Sequence, residues 1–285
     1  MFKKIITVTT LALALFSGPV LAEWKPNGSI TMMTMFPPGG GGAAMAKILK
    51  TAPADGMTIG FAVSETFSFA PAMNPKIGYT ADDFSFIGAV ANTQVGWVAA
   101  ADSPYNSLED LVAAAKDGAE LEVGVFSPRA NAAVRAIGKH FGVEFIPVPI
   151  KSGNEGINNI LNGHLDTTLV GGPQAPHVRK GALKVLASLE AERLIVGKNA
   201  LTLIESGAPV ATFRVKWTLA APAGMPEDIL KAWTAALESS MTNETLRAFI
   251  TEKMSLKMNF TPGDLLKDEI VKGRGASEAL IGFLR

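Results

Sequence analysis

Cysteine is absent from all 285 residues, which excludes disulfides, thiolate metal sites and cysteine nucleophiles. Histidine is scarce: His140, His164 and His177 are the whole set, and they fall in no His-x-x-x-His or Glu-x-x-His spacing, so the sequence offers no zinc signature. No Gly-x-Ser-x-Gly elbow occurs, which removes the commonest esterase signal. An excess of either charge is missing too, with 26 basic and 26 acidic side chains. Without a Lys/Arg cluster, nucleic acid is excluded as a partner. Beyond the amino terminus no apolar run reaches the roughly 20 residues of a spanning helix; the most apolar stretch, Gly88 to Ala101, is interrupted by polar residues and glycine. These absences predict a chain that is not an enzyme and needs no cofactor or metal. A secreted α/β hydrolase is the alternative they disfavour most.

The amino terminus carries an address. Lys3 and Lys4 precede the apolar stretch Ile5 to Phe16, and Ser17-Gly18-Pro19-Val20-Leu21-Ala22 follows. That order of basic, apolar and small-residue segments predicts a cleaved secretory signal at residues 1–22. A membrane anchor is the other reading, but the apolar run breaks at Ser17-Gly18-Pro19, too early to span. Losing Lys3 and Lys4 leaves the acidic side chains two ahead of the basic ones. Export without disulfides points to a bacterial periplasm.

Apolar residues make up 48% of the chain, enough to build a core, and the length suits one large or two modest domains. Strand-like and helix-like runs alternate throughout, the pattern of an α/β protein with parallel strands. Strands are predicted at Ser29–Phe36, Met57–Val63, Phe86–Val90, Gly96–Ala100, Glu122–Phe126, Glu144–Pro147, Thr167–Val170, Leu183–Ser188 and, as the last, Val215–Ala220. Helices are predicted at Ala43–Lys50, Ser107–Lys116, Asn131–Phe141, Gly153–Asn162 and Ala175–Lys180, the second opened by Ser107 and Asp110 in the pattern of a capping box, and after Ala220 at Glu227–Ser239, Asn243–Thr251 and Pro262–Leu284. Pro-containing turns at Ala100–Pro104 and Phe213–Pro222 are the predicted joints. They divide the chain into a discontinuous first lobe (23–100 plus 220–285) and a second lobe (101–219), a layout that makes a cleft for a small ligand.

The candidate chemistry sits where strands run into helices. In Pro37-Pro38-Gly39-Gly40-Gly41-Gly42, glycine lets the backbone approach a ligand, and the free N–H groups of the following helix suit a carboxylate or phosphate. A tight turn is the plainer use. It is no nucleotide loop, because Ala43-Ala44-Met45 stands where a P-loop needs Lys and Ser/Thr. Ser64 and Thr66 follow a strand at the end where ligands of parallel sheets gather, and their hydroxyls can donate to an anion or cap a helix. Ser127 and Asn131 offer the same pair of roles after Glu122–Phe126. Arg129 between them carries a fork that matches a carboxylate, though an arginine there is often solvated.

Several segments in this order resemble the substrate-binding proteins of tripartite tricarboxylate transporters, the TctC or Bug family. They are Ile30–Phe36 with Pro37-Pro38-Gly39-Gly40-Gly41, Ala52-Pro53-Ala54-Asp55-Gly56-Met57, Tyr79-Thr80-Ala81-Asp82-Asp83-Phe84, Val148-Pro149-Ile150-Lys151-Ser152-Gly153, Asn162-Gly163-His164-Leu165-Asp166, Glu205-Ser206-Gly207 and Trp217-Thr218-Leu219-Ala220-Ala221-Pro222-Ala223-Gly224-Met225-Pro226. The resemblance implies an α/β fold of two lobes, of the periplasmic-binding-protein type (type II-like), acting as a monomer that holds a small organic acid and passes it to membrane permease subunits. A sensing lobe with a signalling partner is another use of such a fold. Carried over by position, the ligand contacts are Pro38, Gly39, Gly40, Ser64 and Thr66 from one lobe, with Ser127, Arg129 and Asn131 from the other. One departure stands out. Family members carry a further helix and strand between two glycine loops, whereas here Gly39–Gly42 runs straight into Ala43–Lys50. The resemblance therefore implies a shortened first lobe and an altered pocket.

Overall fold

The computed structural model describes residues 24–34 and 41–284. In chain order the elements are β1 (Thr31–Thr34), α1 (Gly41–Leu49), β2 (Thr58–Val63), α2 (Phe69–Met73), β3 (Phe84–Asn92), β4 (Val95–Ala100), α3 (Leu108–Lys116), β5 (Glu122–Val125), α4 (Pro128–Phe141), β6 (Ile146–Pro149), α5 (Gly153–Leu161), β7 (Thr167–Gly171), α6 (Gln174–Arg179), β8 (Leu183–Ser188), β9 (Lys216–Pro222), α7 (Glu227–Ser240), α8 (Glu244–Ala248), β10 (Lys257–Pro262) and α9 (Gly263–Ile281). The strands form two five-stranded sheets, ordered β1-β2-β9-β3-β10 and β6-β5-β7-β4-β8.

Each sheet is covered on both faces, because alternate residues of its inner strands are apolar on both sides. In β3, Phe84, Phe86 and Ala89 join Met45, Leu49, Leu266 and Ile270 of α1 and α9 on one face. Ile87, Val90 and Ala91 face Ile229 and Leu237 of α7 on the other. In the second sheet Val95, Trp97 and Ala99 of β4 pack with Leu108, Leu111 and Ile137 of α3 and α4. Val98 turns instead to Ile157 and Ile160 of α5. Trp97 is fully buried, and its indole N–H donates to Thr167 Oγ1 at 2.8 Å, as a buried indole requires.

Pairing is less parallel than the alternation of strands and helices predicts. β1–β2, β5–β6 and β5–β7 are parallel, while β2–β9, β3–β9, β3–β10, β4–β7 and β4–β8 are antiparallel. Four of these five antiparallel pairs involve β4 or β9, the strands at which the chain passes from one sheet to the other, and the fifth is edge strand β10 on β3. The strand after β3 is also placed differently from the sequence reading. β3 already has β9 and β10 on its two edges, so β4 pairs with β7 and β8. The first change of sheet therefore falls between Asn92 and Val95, ahead of the expected joint at 100–104, and the return runs through Phe213 to Lys216. The expected lobe boundary at 219 cuts through continuous strand β9.

β10 lies in the interval between two predicted helices, Asn243–Thr251 and Pro262–Leu284, where no strand is expected. Met258 and Phe260 pack under α7 while Lys257 and Asn259 alternate with them, and the strand is an edge, needing only β3 as a partner. The helix expected at Asn243–Thr251 ends at Ala248 and continues as a π-turn over Phe249–Lys253.

The two crossings run side by side. Thr93 N–H donates to Val215 O at 2.9 Å, and Phe213 N–H donates to Leu189 O at 2.6 Å. Helix α9 makes a third connection. Leu266 and Ile270 belong to the core of the first sheet, and Leu280 and Ile281 to that of the second.

Candidate functional site

Where the crossings meet, a cavity of about 660 Å³ opens between the sheets and α9. Ser64 and Glu65 reach it from the turn after β2, Arg129 from the first turn of α4, and Glu190 from the segment after β8. Of the sequence-predicted site residues, Ser64 and Arg129 are thus brought to one cavity. Pro38, Gly39 and Gly40 lie outside the described residues.

The remaining candidates take local roles. Ser127 Oγ accepts from Ala130 N–H at 3.1 Å and caps α4. Asn131 Oδ1 accepts from Arg135 Nε at 3.0 Å along the same helix. Ser64 Oγ accepts from Lys216 N–H at 3.1 Å, tying β2 to the return crossing. Thr66 is buried. Its Oγ1 lies so near Gly42 that a Cβ there would meet it at 2.7 Å, so Thr66 sits against the start of α1, next to the glycine turn. Tyr79 Oη–H donates to Thr66 O at 2.8 Å and holds this corner in place.

Arg129 joins the two halves. Its Nε lies 2.8 Å from Glu65 Oε1, Nη2 donates to Thr212 O at 3.2 Å, and the guanidinium stacks 4.8 Å from the ring centroid of Phe213 and 5.6 Å from that of Phe69. Glu65 belongs to the first sheet and Arg129 to the second, so the ion pair spans the junction. Both contacting atoms are buried, yet neither makes a well-directed hydrogen bond. Burial pushes the Glu65 carboxyl above its usual range, and the adjacent guanidinium opposes that shift.

Glu190 is the second buried carboxyl. Its Oε1 accepts from Thr93 Oγ1–H and from Val95 N–H, each at 2.8 Å, so it knits the first crossing to the second sheet. Burial raises its pKa to about 8 despite those bonds, with Glu65 adding to the rise and Arg129 opposing it. At neutral pH Glu190 is therefore mostly a neutral acid. Arg214 and Lys216 line the same cavity, Lys216 paired with Glu269 at 2.7 Å. Lys257 pairs with Glu192 at the rim.

Sequence reasoning passed over Glu65, Glu190, Thr93 and Phe213. Glu65 stands between two nominated residues, and that position was its one available signal. Glu190 meets Thr93 across 97 residues of chain, a contact no local pattern announces. Among the described residues no group of His, Asp or Glu is placed to hold a metal ion, and no helix is long and apolar enough to cross a membrane.

Two covered sheets with a cavity at paired crossings define the class: a two-lobed α/β binding protein of the periplasmic type. Residues 31–263 match the tripartite tricarboxylate transporter family receptor, and the chain belongs to that family, TctC. Among curated proteins it is similar to the UPF0065 protein in gbd 5'region of Cupriavidus necator, 25% identical over 224 residues, covering 75% of this chain and 67% of that one. Among solved structures it is similar to a TctC solute binding protein from Polaromonas without ligand (TM-score 0.76, 20% identity, 90% of this chain and 99% of that chain). It also superposes on MatC from Rhodopseudomonas palustris with bound malate (TM-score 0.68, 20% identity, 85% of each chain). A third likeness is to an R. palustris protein with adipate (TM-score 0.72, 19% identity, 86% of this chain and 83% of that chain).

Proposed function

We propose that this chain is a periplasmic, non-catalytic receptor that captures a small organic carboxylate between its lobes and delivers it, as a monomer, to the membrane permease subunits of a tripartite transporter. The observation that carries the reading is the family match over residues 31–263, which runs from β1 to the first residue of α9 and so takes in both sheets. Two structural relatives that hold dicarboxylates, malate and adipate, support the ligand class. Within the chain, Arg129 supplies a cation at the junction, in contact with the rings of Phe69 and Phe213. A guanidinium restrained by such contacts is pre-organised for a carboxylate. The basic, apolar and small-residue order of residues 1–22 supports export.

On this reading Ser64 and Arg129 face the ligand, Thr66 sits behind them against the start of α1, and Pro38, Gly39 and Gly40 remain proposed contacts carried by the resemblance alone. Ser127 acts through the first turn of α4, which it caps, and Asn131 through its bond to Arg135 on the same helix. Among the described residues outer strand β1 pairs only with β2 and is largely exposed, Met32 by 52%, which supports a first lobe shortened at this edge.

Titration calorimetry of the exported chain with malate, succinate, citrate and adipate tests the reading. Saturable one-to-one binding of at least one of these acids is expected. No heat and no thermal shift with any of them would remove it. Uptake in cells lacking the neighbouring membrane subunits separates delivery from sensing: delivery requires those subunits.

A further inference from the structure

The cation that would receive a ligand carboxylate already faces a carboxylate of the chain itself. Glu65 Oε1 lies 2.8 Å from Arg129 Nε, at the end of the fork that Nη2 completes. Two observations make this an exchangeable contact rather than a built-in brace. Both atoms are buried but neither is well hydrogen-bonded, so the pair lacks the directed hydrogen bonds that offset the cost of removing two charges from water. Both side chains also keep an opening to the cavity, 22% exposed for Glu65 and 13% for Arg129. Among the described residues Arg129 Nη1 donates no hydrogen bond, so the guanidinium has donor capacity to spare. A ligand carboxylate seated on two nitrogens would replace a single misdirected contact with a paired one.

We infer that Glu65 is an internal stand-in for the ligand: it occupies Arg129 in the free receptor, and a ligand carboxylate binds by displacing it into the cavity. This rests on the carboxylate-receptor reading above. It makes Glu65 a specificity-determining residue. A ligand must bring a carboxylate that outcompetes it, and an uncharged acid or amide of the same shape does not. The apparent affinity is lowered by the fraction of receptors in which Glu65 holds the site.

The test compares the wild-type chain with Glu65→Gln, Glu192→Gln and the double variant Glu65→Gln/Arg129→Gln, by calorimetry with malate and adipate, with thermal melts to confirm folding. Glu65→Gln keeps the shape and removes the competing charge. Its Kd should fall roughly tenfold, as for release of a site that is about nine-tenths self-occupied. Glu192→Gln removes an equal charge from the cavity rim and should change Kd by less than about twofold, since exposed charges are screened. The gain should vanish in the double variant, because it acts through Arg129. Binding by wild type with an unchanged or weaker Kd in Glu65→Gln overturns displacement and leaves the receptor reading standing. An equal gain in Glu192→Gln also overturns it, since cavity charge alone would then suffice. No binding by any variant overturns both.

Discussion

At the scale of single residues the junction is set by two acids that burial holds away from their usual chemistry. For Glu190 the folded pKa of about 8 lies above the ordinary 4.5. Below pH 4.5 the group is protonated in both states and contributes nothing. Between 4.5 and 8 the unfolded chain releases a proton that the folded chain keeps, so stability falls as pH rises through that window. Above 8 the penalty is complete, with an upper bound on the order of 5 kcal/mol. Glu65 titrates with the same sign, Arg129 opposes both, and the charges of Arg214 and Glu192 line the same cavity. Glu190→Gln keeps an oxygen for Thr93 and Val95 and cannot ionise. It should melt higher than wild type at pH 8.5 and by a smaller margin at pH 5; an equal margin at both would show that Glu190 is not titrating. Ser127 has a simpler role. Its hydroxyl caps α4, so Ser127→Ala should cost about 1 kcal/mol in denaturant unfolding, and no cost would mean the cap is dispensable.

At the scale of elements the telling piece is α9. It starts against β3, where a Cβ on Gly263 would fall 1.8 Å from Phe86 O, so only glycine can begin the helix there. It ends with Leu280 and Ile281 in the core of the other sheet. Leu280→Ala should therefore destabilise by about 2 to 5 kcal/mol, the usual range for a buried leucine, although it lies near the end of the chain. A loss below about 0.5 kcal/mol would mean the helix end is not held. Most individual elements were legible in the sequence, since caps such as Ser107 and Ser152 and runs such as Leu183–Ser188 carry local signals. Their assignment to sheets was not. Val95–Ala100 and Phe84–Asn92 are equally apolar on both faces, and which strand pairs with which depends on contacts distant in sequence. Lys257–Pro262 has a two-residue alternation, but helices on both sides obscure it. In the site, Arg129 was readable from its fork beside a helix start, whereas Glu65 and Glu190 were not, because their chemistry comes from burial by remote segments.

At the scale of the whole molecule, two chain crossings and one long helix join the sheets. The cavity, Glu65, Arg129 and Glu190 all lie at that junction, so a ligand held there contacts both halves at once and favours whichever mutual arrangement it fits best. Gly42 at the start of α1 lies against Thr66, two residues on from Ser64 of the cavity lining. Gly42→Val would drive a side chain into Thr66 Oγ1, 2.7 Å from a Cβ at that position, and should weaken ligand binding roughly tenfold or more through misplacement of Thr66 and, with it, Ser64. Unaltered affinity by calorimetry would show that the start of α1 lies away from the ligand. The most direct measurement is calorimetric titration of the purified chain with adipate and malate, beside Arg129→Gln. Saturable one-to-one binding that is lost in Arg129→Gln, with folding retained, is the predicted result; binding of equal strength in the variant would contradict a receptor that reads its ligand's carboxylate through Arg129.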